Sequence, residues 1–331
     1  MKHTNKPSLL YYPSAGKGNK YDNPYSSNLK AALGKYFDVF EANNEYVKKY
    51  RALRLFFYAF CADVFVLSWI EQIWKFAFGS FFTKAAIRLM HLRGKTVIWI
   101  FHNLQPHAGE NASSKDLKLF LLKHSDIILT HSKEAEKKLQ TLSSKRIKYL
   151  CHPVTPITID TQPIIEPFDV LIWGAVLPYK GVWEFVSAKE TQESGLRIRI
   201  VGKCKDLDLA KRIEEQCNTS ITFENRYADF DELAALIRAA KWVLFPYIGE
   251  SISSSGALID TITMGGNPIG PDRAAFHDLY EENVCAVYNS TEDLFVQIKN
   301  APSFTEQDRH QFIVNNSWDS FAKEVAELIN Q

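Results

Sequence analysis

Short apolar runs alternate with amphipathic runs along most of the chain. Runs such as Thr96–Phe101 and Ile127–Thr130 have the composition of buried strands, and Ser132–Leu142 has helical spacing. Parallel strands need this order, because each crossover must return the chain to the same end of the sheet. The alternation therefore predicts an α/β fold with doubly wound parallel sheets.

The pattern gives the following elements. Predicted strands are Ser8–Tyr12, Phe37–Phe40, Val64–Trp69, Thr96–Phe101, Ile127–Thr130, Ile147–Leu150, Val170–Trp173, Arg197–Val201, Ile221–Phe223, Trp242–Phe245 and one near Ile269. Predicted helices are one from Ser26, then Leu53–Phe60, Gln72–Leu92, Ser114–His124, Ser132–Leu142, one from Val182, Leu207–Gln216, Asp231–Ala240, Ala257–Met264, Thr291–Lys299 and Ser317–Ile329.

A segment rich in proline and threonine, TPITIDTQPIIEPF, interrupts the alternation at Thr155–Phe168. A chain of 331 residues is too long for one ordinary core. We therefore expect two Rossmann-like domains, 1–155 and a second starting at residue 156, with this segment as the linker. In doubly wound folds the loops at the strand carboxyl ends hold ligands, so a cleft between the domains is the expected site.

Composition excludes some classes of function. The net charge of +1 gives no general basis for nucleic-acid binding. The five cysteines are odd in number and lack metal-ligand spacing, which suits a reducing cytosol. The apolar run near the N-terminus is too short for a secretory signal, and no run reaches the ~20 apolar residues that span a bilayer. We expect a cytoplasmic protein without a metal site.

The strongest candidate for a ligand site follows the apolar run Trp242–Phe245. A polar loop there ends in Ser253, Ser254, Ser255 and Gly256, and a helical run begins at the glycine. The first amides of a helix lack intrahelical partners and attract anions, serine hydroxyls can add donors, and glycine allows close approach. Ser255 could instead be a simple N-cap, but three serines before a glycine favour a phosphate site.

Other polar residues also follow predicted strands. His102 and Asn103 come directly after Thr96–Phe101, and His107 and His131 lie farther along. Lys180 precedes a glycine at a helix start, where its charge can reach a phosphate. The alternatives are structural histidines and a solvated lysine. Position directly at a strand end favours ligand contact for His102 and Asn103, whereas for His107 and His131 the structural alternative is favoured.

Five motifs occur in a recognisable order: NPYSSNLKAAL, VIWIFHNLQPH, WGAVLPYKGV, LAALIRAAKWVLFPY and SSSGALIDTITMGGNPIGP. Together they resemble the retaining GT-B glycosyltransferases of family 4, especially bacterial enzymes of capsule and exopolysaccharide clusters. The last helical run, NNSWDSFAKEVAELI, resembles the terminal helix that crosses back to the first domain in this fold. The resemblance thus divides the chain into 1–155, 156–312 and 313–331.

The resemblance implies a metal-independent hexosyltransferase with no cofactor other than its donor substrate, a UDP- or GDP-hexose. The implied acceptor is a saccharide, lipid-linked, at the inner face of the cytoplasmic membrane. The implied catalytic residues are His102, which faces the donor sugar, and Lys180. The implied diphosphate-binding residues are Gly16, Lys180, Ser254, Ser255 and Gly256, and the acceptor or cleft residues are Gly18, Asn103 and His107.

The chain departs from the family pattern at several positions. Ala175 stands where many relatives have an arginine, and Ala108 where many have a glutamate. The two family glutamates fall on Ser253 and Thr261, so contact with the ribose or base passes to Thr261 and the adjacent Asp260.

Two arginines elsewhere in the chain are candidates to replace the family arginine that is missing at Ala175. Arg226 and Arg273 could each supply the charge, and the sequence does not choose between them.

The segment Leu53–Phe82 is dense in aromatic residues and has basic neighbours. It contains Phe56, Phe57, Tyr58, Phe60, Trp69, Trp74, Phe76, Phe78, Phe81 and Phe82, with Arg51, Arg54, Lys75, Lys84 and Arg88 among or beside them. Such a combination suits a membrane interface, which predicts peripheral membrane contact. The alternative is an ordinary core helix with solvated basic residues.

Two other functions are compatible with the sequence. A nucleotide-sugar 2-epimerase on the same fold would need carboxylates for proton abstraction, and the motifs offer few. A non-catalytic nucleotide-sugar-binding protein is suggested by Ala175 and the missing glutamates.

Overall fold

The computed structural model describes residues 6–12, 25–41, 51–70, 73, 78–102, 112–156, 165–249 and 255–331. The chain divides into two compact units. The first unit is Met1–Pro153 together with Trp318–Gln331, and the second unit is Val154–Ser317.

The first unit alternates strands and helices. Its strands are β1 (Ser8–Tyr12), β2 (Asp38–Glu41), β3 (Val64–Leu67), β4 (Thr96–Phe101), β5 (Ile127–Thr130) and β6 (Arg146–Tyr149). Its helices are α1 (Tyr25–Leu33), α2 (Arg51–Ala59), α3 (Gly79–Leu92), α4 (Ala112–His124), α5 (Lys133–Leu142) and, from the C-terminus, α14 (Trp318–Asn330).

The six strands of the first unit form one parallel sheet in the order β2-β1-β3-β4-β5-β6. Alternate residues of each strand enter opposite cores, as the two-residue period of a strand requires. Leu10 and Tyr12 of β1 join the core beneath α2 and α3. Leu9 and Tyr11 join the core beneath α1 and α14. Both faces of the sheet are therefore covered, which is the usual condition of a parallel sheet.

Helix α14 is part of the core of the first unit. Phe321 and Val325 are buried there with Leu29 of α1. Arg146 Nη1 donates to the Leu328 carbonyl oxygen at 2.9 Å, and Lys35 pairs with Asp319 at 2.5 Å. The helix is thus attached by apolar packing and by polar contacts at both of its ends.

The second unit repeats the architecture. Its strands are β7 (Phe168–Trp173), β8 (Ile198–Val201), β9 (Ile221–Glu224), β10 (Ala240–Leu244), β11 (Pro268–Pro271) and β12 (Ala286–Tyr288), in the parallel order β12-β11-β10-β7-β8-β9. Its helices are α6 (Val182–Ser187), α7 (Lys189–Gln192), α8 (Leu207–Glu214), α9 (Phe230–Ala239), α10 (Gly256–Thr263), α11 (Ala274–Glu281), α12 (Thr291–Lys299) and α13 (Glu306–Asn315). A 3-10 turn, Pro178–Lys180, precedes α6.

The predicted α/β class with two Rossmann-like sheets is confirmed. The predicted bounds of β1, β4, β5 and α12 are those of the structure. The predicted strand Val64–Trp69 is wrong at its end, because Trp69 has a φ of 46° and cannot extend β3. The predicted start of α3 at Gln72 lies outside the described residues, as does most of the predicted linker. Helices α7, α11 and α13 and strand β12 were not predicted.

Truncation of a buried residue of α14 should destabilise the first unit. We expect Phe321→Ala to lower the free energy of unfolding by about 3–5 kcal/mol, because the ring is buried and its loss leaves a cavity. Urea denaturation followed by circular dichroism measures the change. The control is Lys323→Ala, an exposed position on the same helix, where a change below about 0.5 kcal/mol is expected. Equal effects of the two substitutions would contradict the packing of α14.

Candidate active site

The second unit brings Lys180 to the start of α10. Strand β7 ends at Trp173, and Gly174 follows with a φ of 93°, a conformation that favours glycine. A methyl group built on Gly174 would lie 3.5 Å from Lys180 Nζ and 4.0 Å from Ala257 Cβ. The ammonium group and the first turn of α10 therefore approach the same point beside Gly174.

The environment of Lys180 leaves its charge unbalanced. Burial lowers the pKa of Lys180, and Tyr179 partly offsets this effect. The ammonium lies 5.5 Å from the ring centroid of Tyr247. In the described part of the chain, no carboxylate forms an ion pair with it. A half-buried cation without a counter-ion is suited to receive an anionic ligand.

Among the described residues, no side chain caps the N-terminus of α10. Ser255 occupies the N-cap position, but its side chain makes no capping hydrogen bond and lies 3.3 Å from the Tyr247 hydroxyl. Its carbonyl accepts from the amides of Leu258 and Ile259. The amides of Gly256 and Ala257 have no partner within the described ranges, and a methyl group built on Gly256 would meet no described atom within 4 Å. The interpretation of Ser255 as a simple side-chain N-cap is therefore wrong, while Ser253 and Ser254 lie outside the described residues.

Asp260 and Thr261, one turn into α10, differ in what they can offer a ligand. The Thr261 hydroxyl is fully buried, donates to the Ala257 carbonyl at 2.8 Å and accepts from Trp173 Nε1 at 2.9 Å. Burial raises the pKa of Asp260 to about 6, and no described side chain donates to its carboxylate. Since Thr261 is already engaged, Asp260 is the better candidate for contact with a ribose.

The structure distinguishes the two candidate arginines. Arg226 bonds to Glu224 and Glu232, which raises its pKa and leaves little of its charge for a ligand. Arg273 Nη2 donates to the Tyr247 carbonyl at 2.7 Å, and its buried Nε has no hydrogen-bond partner among the described residues.

Arg273 also lines a cavity of about 520 Å³ in the second unit, together with Gly181, Tyr247, Tyr288 and Ser290. The Tyr247 hydroxyl lies near Ser255 Oγ, and its ring lies beneath the Lys180 ammonium. Its backbone carbonyl accepts a hydrogen bond from Arg273. Of the two candidate arginines, Arg273 is therefore the one that lies near the α10 N-terminus, through their shared contact with Tyr247.

In the first unit, His102 lies at the carboxyl end of β4 and is 6% exposed. Its Nε2 is 2.8 Å from Ser68 Oγ, and its ring stacks on Trp69 with a centroid distance of 3.9 Å. Burial holds the pKa of His102 well below its usual value, and His131 and His152 lower it further. The imidazole is therefore neutral near pH 7, and it can accept or donate one hydrogen bond to a sugar hydroxyl.

His131 has a structural environment. Its Nδ1 donates to the Leu150 carbonyl at 2.8 Å, which leaves Nε2 to accept from the Tyr25 hydroxyl at 2.8 Å. Burial lowers its pKa to about 3. Both ring nitrogens are thus used within the fold.

Four predicted site residues, Gly16, Gly18, Asn103 and His107, lie outside the described ranges, and so does Ser254. Within those ranges, no group of three or more His, Cys, Asp and Glu side chains is arranged to hold a metal ion. Sequence reasoning did not single out Ser68, Trp69 and Tyr247, which contact His102 or Lys180. Ser68 directly follows β3, Trp69 is the next residue, and Tyr247 lies three residues beyond β10.

No protein-family model and no curated protein matches this sequence. Solved structures do match its fold. HepE from Anabaena in complex with UDP matches with a TM-score of 0.70 and 10% identity, covering 98% of this chain and 99% of its own. An alpha,alpha-trehalose-phosphate synthase (UDP-forming) from Burkholderia vietnamiensis matches with a TM-score of 0.65 and 9% identity, covering 99% of each chain. TarM from S. aureus, in a complex that includes UDP, reaches 0.58 at 13% identity, covering 85% of this chain and 59% of its own. The fold of this chain is therefore the two-domain, Rossmann-like GT-B fold.

The raised pKa of Asp260 predicts a pH-dependent effect of its removal. In the folded state the ionised carboxylate is disfavoured, so the protein loses stability as the pH rises from about 4 through about 6. We expect Asp260→Asn to be more stable than the parent at pH 8 by an amount of the order of 2 kcal/mol, with no difference at pH 4. Urea denaturation at both pH values measures this, with the exposed Glu215→Gln as control. A pH-independent difference would contradict the unfavourable ionisation of Asp260.

Proposed function

We propose that the chain is a retaining glycosyltransferase that moves a hexose from a UDP- or GDP-sugar to a saccharide acceptor, lipid-linked, in surface polysaccharide synthesis. The observation that carries the proposal is the Lys180 ammonium, which has no counter-ion among the described residues, beside the N-terminus of α10, which no described side chain caps. The fold supports it, because the matching structures include HepE in complex with UDP-glucose and a UDP-forming synthase.

The difficult step is cleavage of the bond from the anomeric carbon to the diphosphate. Negative charge accumulates on the leaving phosphate, and donors that are already in place lower the barrier. Lys180 and the amides of Gly256 and Ala257 are suited to this role without a metal ion. Ser254, Ser255 and Gly16 complete the proposed diphosphate site.

The remaining roles follow the chemistry of each group. Asp260 accepts hydrogen bonds from the ribose hydroxyls, and Arg273 supplies the charge absent at Ala175. His102 meets the donor sugar as a neutral imidazole. Gly18, Asn103 and His107 contribute to the acceptor side. The departing phosphate takes the acceptor's proton, and no side chain is assigned as general base.

A panel of UDP, GDP, ADP and TDP in isothermal titration calorimetry identifies the base. Sugar transfer, donor hydrolysis and 2-epimerisation are then measured with the corresponding nucleotide sugar. Transfer with retention supports the proposal. Epimerisation, or tight binding with no turnover across a panel of acceptors, would replace it with one of the two alternative functions.

Removal of the Lys180 ammonium should slow transfer strongly. We expect Lys180→Ala to lose about 2–4 kcal/mol of transition-state stabilisation, because a charge-assisted contact to the leaving group is lost. The rate at saturating donor measures the loss. Lys189→Ala is the matched control, since this lysine is 79% exposed in the same unit. Activity of Lys180→Ala within about threefold of the parent would contradict the role.

Peripheral membrane contact is the second part of the proposal. On α2 and α3 and just beside them, Phe57 is 60% exposed, Phe60 51%, Phe78 75% and Phe81 65%. Helix α3 also carries the exposed Arg88. None of the helices in the described ranges is long and apolar enough to cross a membrane. Exposed aromatic rings with nearby cations suit the surface of a bilayer that contains anionic lipids.

The basic residues differ in their availability for lipids. Lys84 forms an ion pair with Asp116 and lies over the ring of Phe120. Arg88 also lies over this ring, 5.0 Å from its centroid, and has no acidic partner among the described residues. Arg88 is therefore a better test of lipid contact than Lys84, whose substitution would also leave Asp116 unpaired.

Removal of the exposed aromatic rings should weaken membrane binding. We expect the double variant Phe57→Ser and Phe81→Ser to sediment less with anionic liposomes than the parent, and Arg88→Glu or higher salt to act in the same direction. Leu142→Ser is the control, since this residue is 58% exposed on α5. No sedimentation of the parent at low salt would refute membrane contact, and concentration-dependent association without lipid would assign the surface to a second copy of the chain.

A further inference from the structure

Trp69 has an unusual backbone conformation. Its φ of 46° lies in the left-handed region, which large side chains seldom adopt. Such a conformation costs free energy and persists only where the surrounding structure maintains it. It occurs two residues after the end of β3, near the centre of the sheet of the first unit. Strained backbone of this kind is most common at functional sites, and Trp69 lies at the carboxyl end of a central strand.

The reason lies in how Ser68 and Trp69 meet His102. In an extended strand, successive side chains point to opposite faces of the sheet. Here both neighbours contact the same imidazole. Ser68 Oγ lies 2.8 Å from Nε2, and the indole stacks on the ring with an interplanar angle of 7°. The left-handed turn at Trp69 is what allows two consecutive residues to contact one ring.

These contacts leave one ring nitrogen of His102 for a ligand. Nε2 is occupied by Ser68, whereas Nδ1 has no hydrogen-bond partner among the residues that the structure describes. Stacking fixes the plane of the ring, and the hydrogen bond fixes its rotation within that plane. The direction of the Nδ1 atom is therefore determined by the two residues that follow β3.

We propose that Trp69 is a positioning residue for His102, and that its strained backbone and stacked indole hold Nδ1 in one fixed direction, available for a hydrogen bond to a ligand hydroxyl. The inference rests on the proposed role of His102 in sugar transfer. Trp69 itself acts only through the imidazole. A misplaced imidazole would reduce turnover more than donor affinity, because the diphosphate contacts belong to the second unit.

The kinetic test uses Trp69→Ala, Trp69→Phe and His102→Ala. We expect Trp69→Ala to lose at least about tenfold in kcat with the donor KM within about twofold of the parent, and Trp69→Phe to keep most of the activity, since a benzene ring can still stack. In the double variant with His102→Ala, the loss due to Trp69→Ala should disappear, because both changes remove one interaction. Additive losses in the double variant would overturn the proposal.

A matched control is Trp318→Ala. Trp318 packs against Tyr25 in the same cluster, with ring centroids 5.1 Å apart, while Tyr25 also contacts His102 and Trp69. This substitution should lower stability but leave kcat within about threefold of the parent. A kcat loss equal to that of Trp69→Ala would show that general loosening of the cluster, rather than positioning by Trp69, limits the reaction.

The strain is measured independently of activity. Trp69→Gly and Trp69→Ala both remove the indole, but only glycine accepts a positive φ without strain. We expect Trp69→Gly to melt about 2–4 °C above Trp69→Ala. The reverse order would contradict the left-handed conformation.

A spectroscopic measurement separates failure of positioning from failure of the proposed function. In ¹⁵N-correlated spectra we expect one sharp set of His102 ring signals in the parent and in Trp69→Phe, and shifted or broadened signals in Trp69→Ala, because the ring then loses the stacking that fixes its plane. A parent that binds donor but neither transfers nor hydrolyses it would refute the proposed function, while the spectra still decide the positioning. Unchanged His102 signals in Trp69→Ala would overturn the inference even if transfer is found.

Discussion

The burial of both faces of each parallel sheet is the constraint on which the rest of the structure depends. Strand β3 is buried along its whole length, and in β4 only the first residue is partly exposed. Polar groups inside such layers would lose their hydration, so the chemistry of the chain can collect only where the strands end. His102 follows β4 and Gly174 follows β7. The open turn of α10 follows the loop after β10.

Two ionisable groups of the second unit, Lys180 and Asp260, lack opposite partners among the described residues. Lys180 is partly desolvated and has no described counter-ion, whereas Asp260 is partly desolvated and has no described donor. The Lys180 ammonium favours an anion, and the Asp260 carboxylate favours hydroxyl groups that donate hydrogen bonds. Arg226 provides the contrast, because Glu224 and Glu232 already satisfy its charge. A ligand with a diphosphate at one end and a diol nearby would complement both unsatisfied groups.

Sequence patterns predicted the elements whose local signals agree with the fold. The apolar run Thr96–Phe101 is a strand in the prediction and in the structure, because six apolar and β-branched residues are typical of a buried strand and too few for a buried helix. Strand β12 has only three residues, too few to show a period, and α11 begins at Ala274 with a φ of 48°.

The positions of Lys180 and His102 were predictable, because each follows a strand of its unit, whereas their roles in binding stay predictions. The availability of a side chain for a ligand was not predictable where it depends on hydrogen bonds or ion pairs with residues distant in sequence. Nothing in the sequence shows that the Thr261 hydroxyl bonds to Trp173, or that Arg226 is held by two glutamates. The turn at Trp69 was also hidden, because tryptophan ordinarily favours strands.

The attachment of α14 to the first unit has a consequence for synthesis of the protein. The ribosome completes residues 1–153 long before Phe321 and Val325 emerge, so the apolar surface that they cover, including Leu29, stays uncovered while the second unit is made. A nascent first unit can form its sheet and the opposite core but not this one. The second unit, which is contiguous in sequence, can fold as soon as it emerges. The first unit therefore reaches its final core only after α14 has been made, and until then its uncovered surface is available to chaperones.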